Sequence, residues 1–325
     1  MAPRAFFYLI TAWIALTLNF VIPRMMPGNA VDQILGRLQG AGPVTPAAIA
    51  AIRDAFGLNS HVGILTQYVN YVGDVLHGNL GLSIYYYPSS VTSVIAASLP
   101  WTVALVGVST VLAFAIGTAL GVLAGWNRGK RRYDALVPSS TLLSALPYFW
   151  VGLVLLTIFA TTVHLFPFDG GSSPDITPGW TWSFLGSAAY HAVLPGLTIV
   201  ISSLGGWLLA MRNMTVTVLS QDYMVLAEGK GLSPRRVLTA YVTKNAVLPS
   251  VAGFALALGF VVAGSIVTEV VFGYPGIGDV LYLAVVNRDY PLMQGIFLII
   301  TIVVLAANLV ADAAYVLLDP RTRGE

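Results

Sequence analysis

Few side chains in this sequence are spaced for catalysis or metal binding. The four histidines, His61, His77, His164 and His191, lie far apart and form no H-E-x-x-H pair, the spacing that places two imidazoles around zinc on one helix face. There is no G-x-S-x-G turn to expose a nucleophilic serine, and no apolar segment carries a pair of carboxylates. The sequence therefore predicts no catalytic residue and no metal site, and the chain is not expected to be an enzyme.

Nucleotide binding is excluded on similar grounds. The nearest approach to a phosphate-binding loop is GWNRGKRR at 125–132, whereas a loop that cradles nucleotide phosphates reads G-x-x-x-x-G-K-[ST]. Here one residue is missing between the glycines, and Arg131 follows Lys130 in place of a hydroxyl residue. The chain is therefore predicted to bind no nucleotide or other cofactor itself.

The scarce charge of the sequence is concentrated in one segment, residues 212–246. Five of the 16 lysines and arginines lie there: Arg212, Lys230, Arg235, Arg236 and Lys244. The segment has clear helix signals, which predict two short helices joined at a glycine. Such a junction is a rigid elbow.

The first predicted helix of the elbow begins at Asp222, which is placed to cap it. Tyr223, Leu226 and Ala227 share one face at spacings of three and four residues. Two further residues mark the end of the helix. Lys230 lies at its negative end, and Gly231 supplies the left-handed residue that stops it.

The second predicted helix begins with Ser233 as N-cap and Pro234 as first residue. Arg235 and Arg236 then lie at its positive end, where cations are disfavoured by a few tenths to about 1 kcal/mol. A group outside the helix is expected to compensate them. Lipid phosphate is one candidate, favoured by charge alone, and an acidic patch on a partner protein is the other.

Composition places this elbow in a membrane protein. Hydrophobic residues make up 57% of the chain and charged residues only 9%, against about 25% charged in soluble domains. The mean hydropathy is +0.80. A net charge of +2 gives no reason to expect nucleic acid as a partner, and without cysteine there is no disulfide framework or thiolate metal site.

Six stretches approach the roughly 20 apolar residues that a membrane-spanning helix needs. They are 6–22, 101–124, 136–163, 192–211, 247–271 and 292–317. The chain is therefore predicted to be an all-α integral membrane protein with six transmembrane helices. Pro23 and Arg24 follow the first stretch where a cleavage site would have small residues, so this stretch is predicted to be retained rather than removed as a signal peptide.

Basic residues near helix ends are retained in the cytoplasm, and this sets the predicted orientation. With the N-terminus inside, the cytoplasmic segments hold 12 of the 16 lysines and arginines. Both termini and the elbow are therefore predicted to be cytoplasmic. The predicted organisation is a first transmembrane helix at 1–22, an extracytoplasmic helical region at 23–100, and a five-helix core at 101–325 that contains the elbow.

The extracytoplasmic region is predicted to be folded. Thr45, Pro46 and Gly57 mark the start and end of one helix. A second helical pattern runs over 62–76, with Leu65, Tyr68 and Val72 on one face. The region is therefore expected to be a small helical insertion after the first transmembrane helix.

The stretch DYMVLAEGKGLSPRRVLTAYVTKNAVLPSV at 222–251 resembles the cytoplasmic coupling loop of permease subunits in binding-protein-dependent ABC importers. The similarity lies with the peptide, nickel and oligosaccharide branch, and five further stretches match that branch in the same order. They are MPGNAVDQILG at 26–36, LGLS at 80–83, LPYFWVGL at 146–153, EVVFGYPGIGDVLYLAVVNRDYPLMQG at 269–295 and LLDPRTR at 317–323. Six motifs in register are specific and cover nearly the whole chain.

This resemblance implies the type I ABC importer permease fold and a transport role without nucleotide binding. It implies a second homologous permease subunit, two ATP-binding subunits that hold ATP and Mg, and an extracytoplasmic solute-binding protein. Membrane lipids complete the expected partners. The implied location is the cytoplasmic (inner) membrane of a bacterium or archaeon, and the implied role of the elbow is docking to the ATP-binding subunits.

Two motifs depart from the family pattern. The wider superfamily has Glu-Ala-Ala, three variable residues and Gly in the coupling loop, whereas Val225, Leu226, Ala227 and Gly231 stand at these positions. An ionic contact from the family glutamate is therefore not carried over, and docking is expected to use the apolar face with Lys230, Arg235 or Arg236. The usual PGDP of the branch reads PGNA here, so any role of its acid is not carried over either.

Polar residues within the apolar segments are candidates for a substrate pathway. Ser144 with Tyr148, and Ser203 with Trp207, are pairs four residues apart, although hydrogen bonding to neighbouring helices would also account for them. Glu269 lies near a segment end, where a structural polar network is the favoured interpretation. Gly117, Gly121 and Gly125 predict close helix contact, within the chain rather than between subunits.

The cargo is the least determined property. The implied substrates are oligopeptides first, with cello- or xylo-oligosaccharides as the alternative suggested by outer aromatic residues, namely Tyr85, Tyr86, Tyr87, Trp180 and Trp182. Aromatic residues at a membrane interface also need no ligand. The alternative class of protein is an ion-coupled carrier acting alone, and co-purification with ATPase subunits separates the two.

Overall fold

The structure is a computed structural model, and it describes residues 2–25, 63–259, 261 and 266–318. Within these ranges the regular structure is helical, apart from one isolated bridge between Leu82 and Ser90. The described helices are α1 Ala2–Met25, α2 Ile64–Leu76, α3 Val91–Trp126, α4 Arg131–Asp134, α5 Leu136–Ala145, α6 Tyr148–Thr162, α7 Trp182–Leu219, α8 Asp222–Gly229, α9 Pro234–Gly259, α10 Ile266–Val271, α11 Ile277–Val286 and α12 Tyr290–Leu318. The all-helical prediction is confirmed for the described residues.

Four of the described helices are long and apolar enough to cross a membrane. They are α3, α7, α9 and the part of α12 from Tyr290 to Leu309. The pair of segments 131–145 and 148–162 makes a fifth if it is counted as one bent span. The apolar part of α1, Phe6–Ile22, is shorter than these helices, so six spans are not confirmed.

Two helices extend well beyond the predicted spans. The predicted spans 101–124 and 192–211 lie within α3 and α7, which have 36 and 38 residues. At 1.5 Å per residue each helix is longer than about 50 Å, whereas the hydrocarbon core of a bilayer is about 30 Å thick. The ends of both helices therefore project from the membrane, and one projecting end of α7 carries the elbow.

The predicted transmembrane helix at 136–163 is not continuous. α5 ends at Ala145, α6 begins at Tyr148, and the two segments are bent by 96°. The cause is Pro147, because a proline ring pushes the preceding residue out of the helical region, and Leu146 has an extended ψ of 127°. The remainder of α6, Leu156–Thr162, is π-helical.

The predicted span 247–271 also has different bounds. α9 begins at Pro234, passes through a π-helical section at Val237–Thr243 and ends at Gly259, and α10 covers Ile266–Val271. The second short helix that the sequence predicts after Gly231 is therefore the first part of a long helix. The elbow is therefore continuous with a helix that is long and apolar enough to cross a membrane.

The chain divides into two compact units, Met1–Trp101 with Pro275–Leu305, and Thr102–Tyr274 with Ala306–Glu325. In the first unit, buried residues of α11 and α12 pack against the start of α3. Its core is Val91, Val94, Ile95, Ile277, Val280, Leu281, Ala284, Leu292, Met293 and Ile296. The predicted helix at 62–76 is present here as α2, and the predicted helix between Thr45 and Gly57 lies outside the described residues.

Glycines bring α3 and α7 together in the second unit. A β-carbon at Gly121 would lie 2.6 Å from the backbone oxygen of Leu208, and one at Gly117 would lie 2.6 Å from Cβ of Trp207. Gly125 is equally close to α7. The prediction that these glycines serve helix packing within the chain is therefore confirmed.

Candidate functional site

The elbow is formed by the end of α8, a left-handed glycine and the start of α9. Gly231 has a φ of 67°, as its predicted role requires, and Lys230 donates its backbone N–H to Leu226 O at 3.1 Å. Ser233 occupies the N-cap position with extended backbone, but its side chain makes no capping hydrogen bond. Pro234 is the first residue of α9 as predicted.

Asp222 is placed slightly differently from its prediction. It is the first residue of α8 rather than the residue before it. Its carboxylate therefore lies in the first turn, where it stabilises the helix through the positive end of the helix dipole.

The buried face of α8 fixes the elbow to α7. Met224 and Ala227 are buried, and Met224 belongs to a cluster with Val237 of α9 and with Met211 and Val218 of α7. Of the predicted face of Tyr223, Leu226 and Ala227, the first two are exposed and Ala227 is buried in the protein. The two arms of the elbow share one core and are held as a unit.

The opposite face of α8 is apolar and exposed. Val225 and Leu226 are 73% and 60% exposed, and Tyr223 is exposed beside them. Lys230, with Arg235 and Arg236 of α9, is also exposed. We call these six residues the coupling surface. The coupling surface combines apolar and cationic side chains, the two types that the sequence predicts for docking. Position 225 carries no acidic residue.

A cavity of about 490 Å³ lies among the helices of the second unit. Its lining is Thr110, Ser144, Tyr148, Ser202, Ser203, Gly206, Trp207, Ala210 and Ala257. All four residues that the sequence suggested for a pathway therefore line one cavity. Ser144 and Tyr148 do so from the two sides of the bend at Pro147, not from one helix face as predicted.

Close packing at Gly205 positions α5 and α7, which together form one wall of the cavity. A β-carbon there would collide with the backbone oxygen of Ser140 and with Oγ of Ser144, so α5 lies directly against α7. This contact holds Ser144 next to Ser203 and Trp207 in the lining. The sequence gives no sign of this approach, because glycine also occurs at positions where nothing lies nearby.

An aromatic cluster supports Trp207 on one side of the cavity. The ring of Phe114 is 5.1 Å from the Trp207 ring in an edge contact, and it stacks on Phe254 at 4.3 Å. Phe254 also meets Trp207 at 6.4 Å. Such pairs stabilise defined orientations, so the indole is a fixed part of the wall.

The cavity lining is uncharged and more apolar than polar by surface, with hydroxyls set among apolar side chains. It carries serine and threonine hydroxyls, a tyrosine and a tryptophan, and none of its nine residues is ionisable near neutral pH. The hydroxyl of Ser202 is buried and has no hydrogen-bond partner among the described residues. The lining is therefore suited to a hydrated or neutral polar solute. Five lining residues were not predicted from the sequence, although Gly206 and Ala210 repeat the helical spacing of Ser203 and Trp207; the other three are Thr110, Ser202 and Ala257.

Glu269 is a structural residue in the second unit. It is fully buried, and Thr102 donates its hydroxyl to Oε1 at 2.9 Å. This contact joins α10 to α3 and agrees with the predicted polar network.

Comparison with known proteins gives one family. Residues 117–324 match the family described as binding-protein-dependent transport system inner membrane component. A probable peptide ABC transporter permease of Sinorhizobium fredii is 33% identical over 94% of this chain and 92% of its own length. A di/tripeptide transport system permease of Pseudomonas aeruginosa is 32% identical, with 94% and 93% covered. An oligopeptide transport system permease of Bacillus subtilis is 30% identical, with 94% and 92% covered.

A solved structure supports the fold. A chain of the MetNI methionine ABC transporter in an inward-facing conformation aligns with a TM-score of 0.55, over 69% of this chain and 95% of that chain, at 14% identity. This likeness shows the type I importer permease fold and nothing about cargo. The chain therefore belongs to the family of binding-protein-dependent transport system inner membrane components, and it is a multi-pass permease subunit of an ABC importer.

Proposed function

We propose that this chain forms half of the translocation pathway of an oligopeptide importer. It works with a second homologous permease subunit, two ATP-binding subunits that hold ATP and Mg, and an extracytoplasmic solute-binding protein. The observation that carries the proposal is the coupling surface, which the core of the elbow holds rigidly while leaving it exposed. Three relatives are named as peptide permeases, which favours peptide as the cargo.

The topology that goes with this function has six spans and two cytoplasmic termini, in the inner membrane of a bacterium or archaeon. Five spans are the apolar helices and the bent pair, and the sixth is α1. The excess of lysine and arginine on one side sets the orientation. Residues 1–22, 23–100 and 101–325 are then the first span, the outer region and the core.

We expect the ATP-binding subunits to bind the coupling surface. Tyr223 and Leu226 enter a groove of the partner, as the apolar face of a helix does in helix-in-groove recognition. The cations beside them face acidic residues at the rim of that groove. Because α9 continues from the elbow into the membrane, closure of the ATP-binding subunits on ATP moves the pathway without any chemistry in this chain.

Reversing the charge of Arg235 tests the cationic part of the coupling surface. Arg235→Glu replaces an exposed cation with a carboxylate, and we expect weaker binding of the ATP-binding subunits, since each like-charge contact at an interface is repulsive. Affinity for the purified ATP-binding subunits is measured at low and high salt. We expect a loss of about tenfold, equivalent to about 1.4 kcal/mol, that shrinks as salt rises.

Arg131→Glu is the matched control for Arg235→Glu. It reverses an exposed cation in the predicted cytoplasmic loop between α3 and α5, outside the elbow. It should leave the affinity unchanged. If Arg235→Glu alters only the dependence on anionic lipid and not the affinity for the ATP-binding subunits, lipid phosphate is the compensating group.

The cavity is the pathway segment that we assign to this subunit. Its uncharged hydroxyls and fixed indole offer weak and replaceable hydrogen bonds, which allow a hydrated peptide to pass without being retained. High affinity is then a property of the binding protein, which also selects the cargo.

Filling the cavity should block transport. Gly206 lines it, and a β-carbon there has no heavy atom within 4 Å, so the side chain of Gly206→Phe starts in open space and fills part of the cavity. We expect peptide uptake to fall several-fold with assembly unchanged. Gly186→Phe adds the same ring to the same helix at a position that is also open, and it should transport normally. Equal uptake in the two variants would remove the cavity from the pathway.

The cargo is tested by ATPase stimulation of the assembled transporter. Its own binding protein is loaded in turn with short peptides and with cello- or xylo-oligosaccharides. We expect stimulation by the peptide-loaded protein. Stimulation by the sugar-loaded protein alone would replace the peptide assignment with the oligosaccharide alternative.

A further inference from the structure

Helix α2, on the chain between α1 and α3, packs against α1 through its tyrosines. A hydrogen bond of 2.8 Å joins Tyr68 OH and Thr17 Oγ1. The ring of Phe20 makes an edge contact with Tyr68 at 5.2 Å and a tilted contact with Tyr71 at 5.6 Å. One side of α2 is therefore fixed to the C-terminal half of α1.

A second apolar stripe on α2 has no contact of this kind. Leu65, Val69 and Leu76 are 76%, 61% and 80% exposed. At about 100° per residue, these three side chains fall within a sector of about 40°. Asn70 and Asp74 are exposed on the other side of the helix. The helix is thus amphipathic, and only part of its apolar face is covered by α1.

In the topology proposed above, where α1 crosses the membrane, its contacts with α2 set the depth of α2. Thr17 is five residues before Ile22, the end of the apolar run of α1, which is about 7.5 Å along a helix. Amphipathic helices at a membrane surface bury their apolar face about 5–10 Å below the headgroups. Arg24 lies beyond this depth, with its guanidinium 3.6 Å from the centre of the Phe20 ring, as expected for a cation at the boundary with water.

We propose that α2 is an interfacial helix that lies in the outer boundary of the bilayer. Leu65, Val69 and Leu76 contact lipid acyl chains, and Asn70 and Asp74 face the headgroups and water. Three side chains on a 13-residue helix are too few for a stable protein interface, which needs about 800 Å² from each partner. α1 likewise exposes the apolar side chains of Leu18 and Ile22, close in sequence to Thr17 and Phe20, which contact α2.

The sequence of α2 also specifies the kind of lipid surface. The helix ILTQYVNYVGDVL has no lysine or arginine, and Asp74 is its single charged residue. Attraction to anionic headgroups therefore does not hold it in place. Apolar burial does, so α2 should bind the interface of a zwitterionic bilayer as well as that of an anionic one.

The test is spin labelling of the assembled transporter in phosphatidylcholine nanodiscs. The chain has no cysteine, so single-cysteine variants need no background changes. Labels at Leu65→Cys and Val69→Cys should collide often with oxygen, which dissolves in lipid, and rarely with a water-soluble nickel chelate. Asn70→Cys is the matched control one residue away, and it should show the reverse. Adding anionic lipid should leave these collision rates unchanged.

Three other results would overturn the proposal. Frequent nickel collisions at Val69 would place the stripe in water. Rare collisions with both reagents would mean that protein covers it. A third label, at the exposed Trp13 of α1, tests the premise that α1 crosses the membrane. Frequent nickel collisions there would show that α1 lies in water, and α2 would then have no lipid beside it.

Discussion

Gly231→Val should leave the transporter assembled and hydrolysing ATP while peptide uptake falls by about tenfold or more. The φ of 67° at this position lies in the left-handed region, which a β-branched residue occupies at a strain of about 1–3 kcal/mol. A β-carbon there meets no atom within 4 Å, so the effect comes from the backbone alone. Relief of the strain changes the angle between α8 and α9. A loss of coupling free energy of about 1–3 kcal/mol corresponds to about a 5- to 150-fold weaker coupling between the two sites.

Gly229→Val is the control for this experiment. Gly229 ends α8 two residues earlier, has no left-handed backbone, and is equally open. Uptake and ATPase activity are measured on the same proteoliposomes for both variants. If Gly231→Val transports as well as Gly229→Val, the left-handed junction is not needed for coupling.

The second large effect is expected from Gly121→Val. At this glycine α3 lies against the backbone of α7, and a β-carbon would be 2.6 Å from Leu208 O and 3.0 Å from Arg212 N. Backbone atoms cannot rotate away, so the two long helices must separate. Overpacking of a close contact costs about 1–3 kcal/mol or more, and we expect a lower thermal midpoint and a smaller fraction of monodisperse protein.

Gly186→Val separates this packing effect from the general effect of removing a helical glycine. Gly186 lies in α7 with nothing near its β-position, so the variant should unfold at the temperature of the unchanged protein. A normal thermal midpoint for Gly121→Val would show that α3 and α7 are not held at this distance in the assembled transporter.

Local signals in the sequence predicted the elbow well. Gly231 as a left-handed terminator and Pro234 as a first helical residue are confirmed, since both depend on backbone chemistry of the residue itself. The residue that fixes α8 to α7 could not be predicted, because it depends on the direction of α7. Met224, which the sequence did not single out, packs on that helix, and Tyr223 and Leu226 stay exposed.

The break in the third predicted span was also present in the sequence. Leu146 precedes Pro147, a pair that favours extended backbone, but the apolar run on both sides concealed the bend. The cavity, unlike this bend, has no local signal in the sequence. Ser144 and Trp207 were identified as candidates, yet their meeting depends on the approach of α5 to Gly205, which only the tertiary structure shows.

The most direct test of the account measures uptake of a labelled peptide into proteoliposomes. One preparation contains this chain alone, and the other contains it with the second permease subunit, the ATP-binding subunits and the loaded binding protein. We predict uptake only in the complete assembly and only with ATP, because the proposed function gives this chain a passive pathway and a docking surface for the ATP-binding subunits. Uptake by the chain alone, driven by a proton or sodium gradient, would contradict the account and identify an ion-coupled carrier.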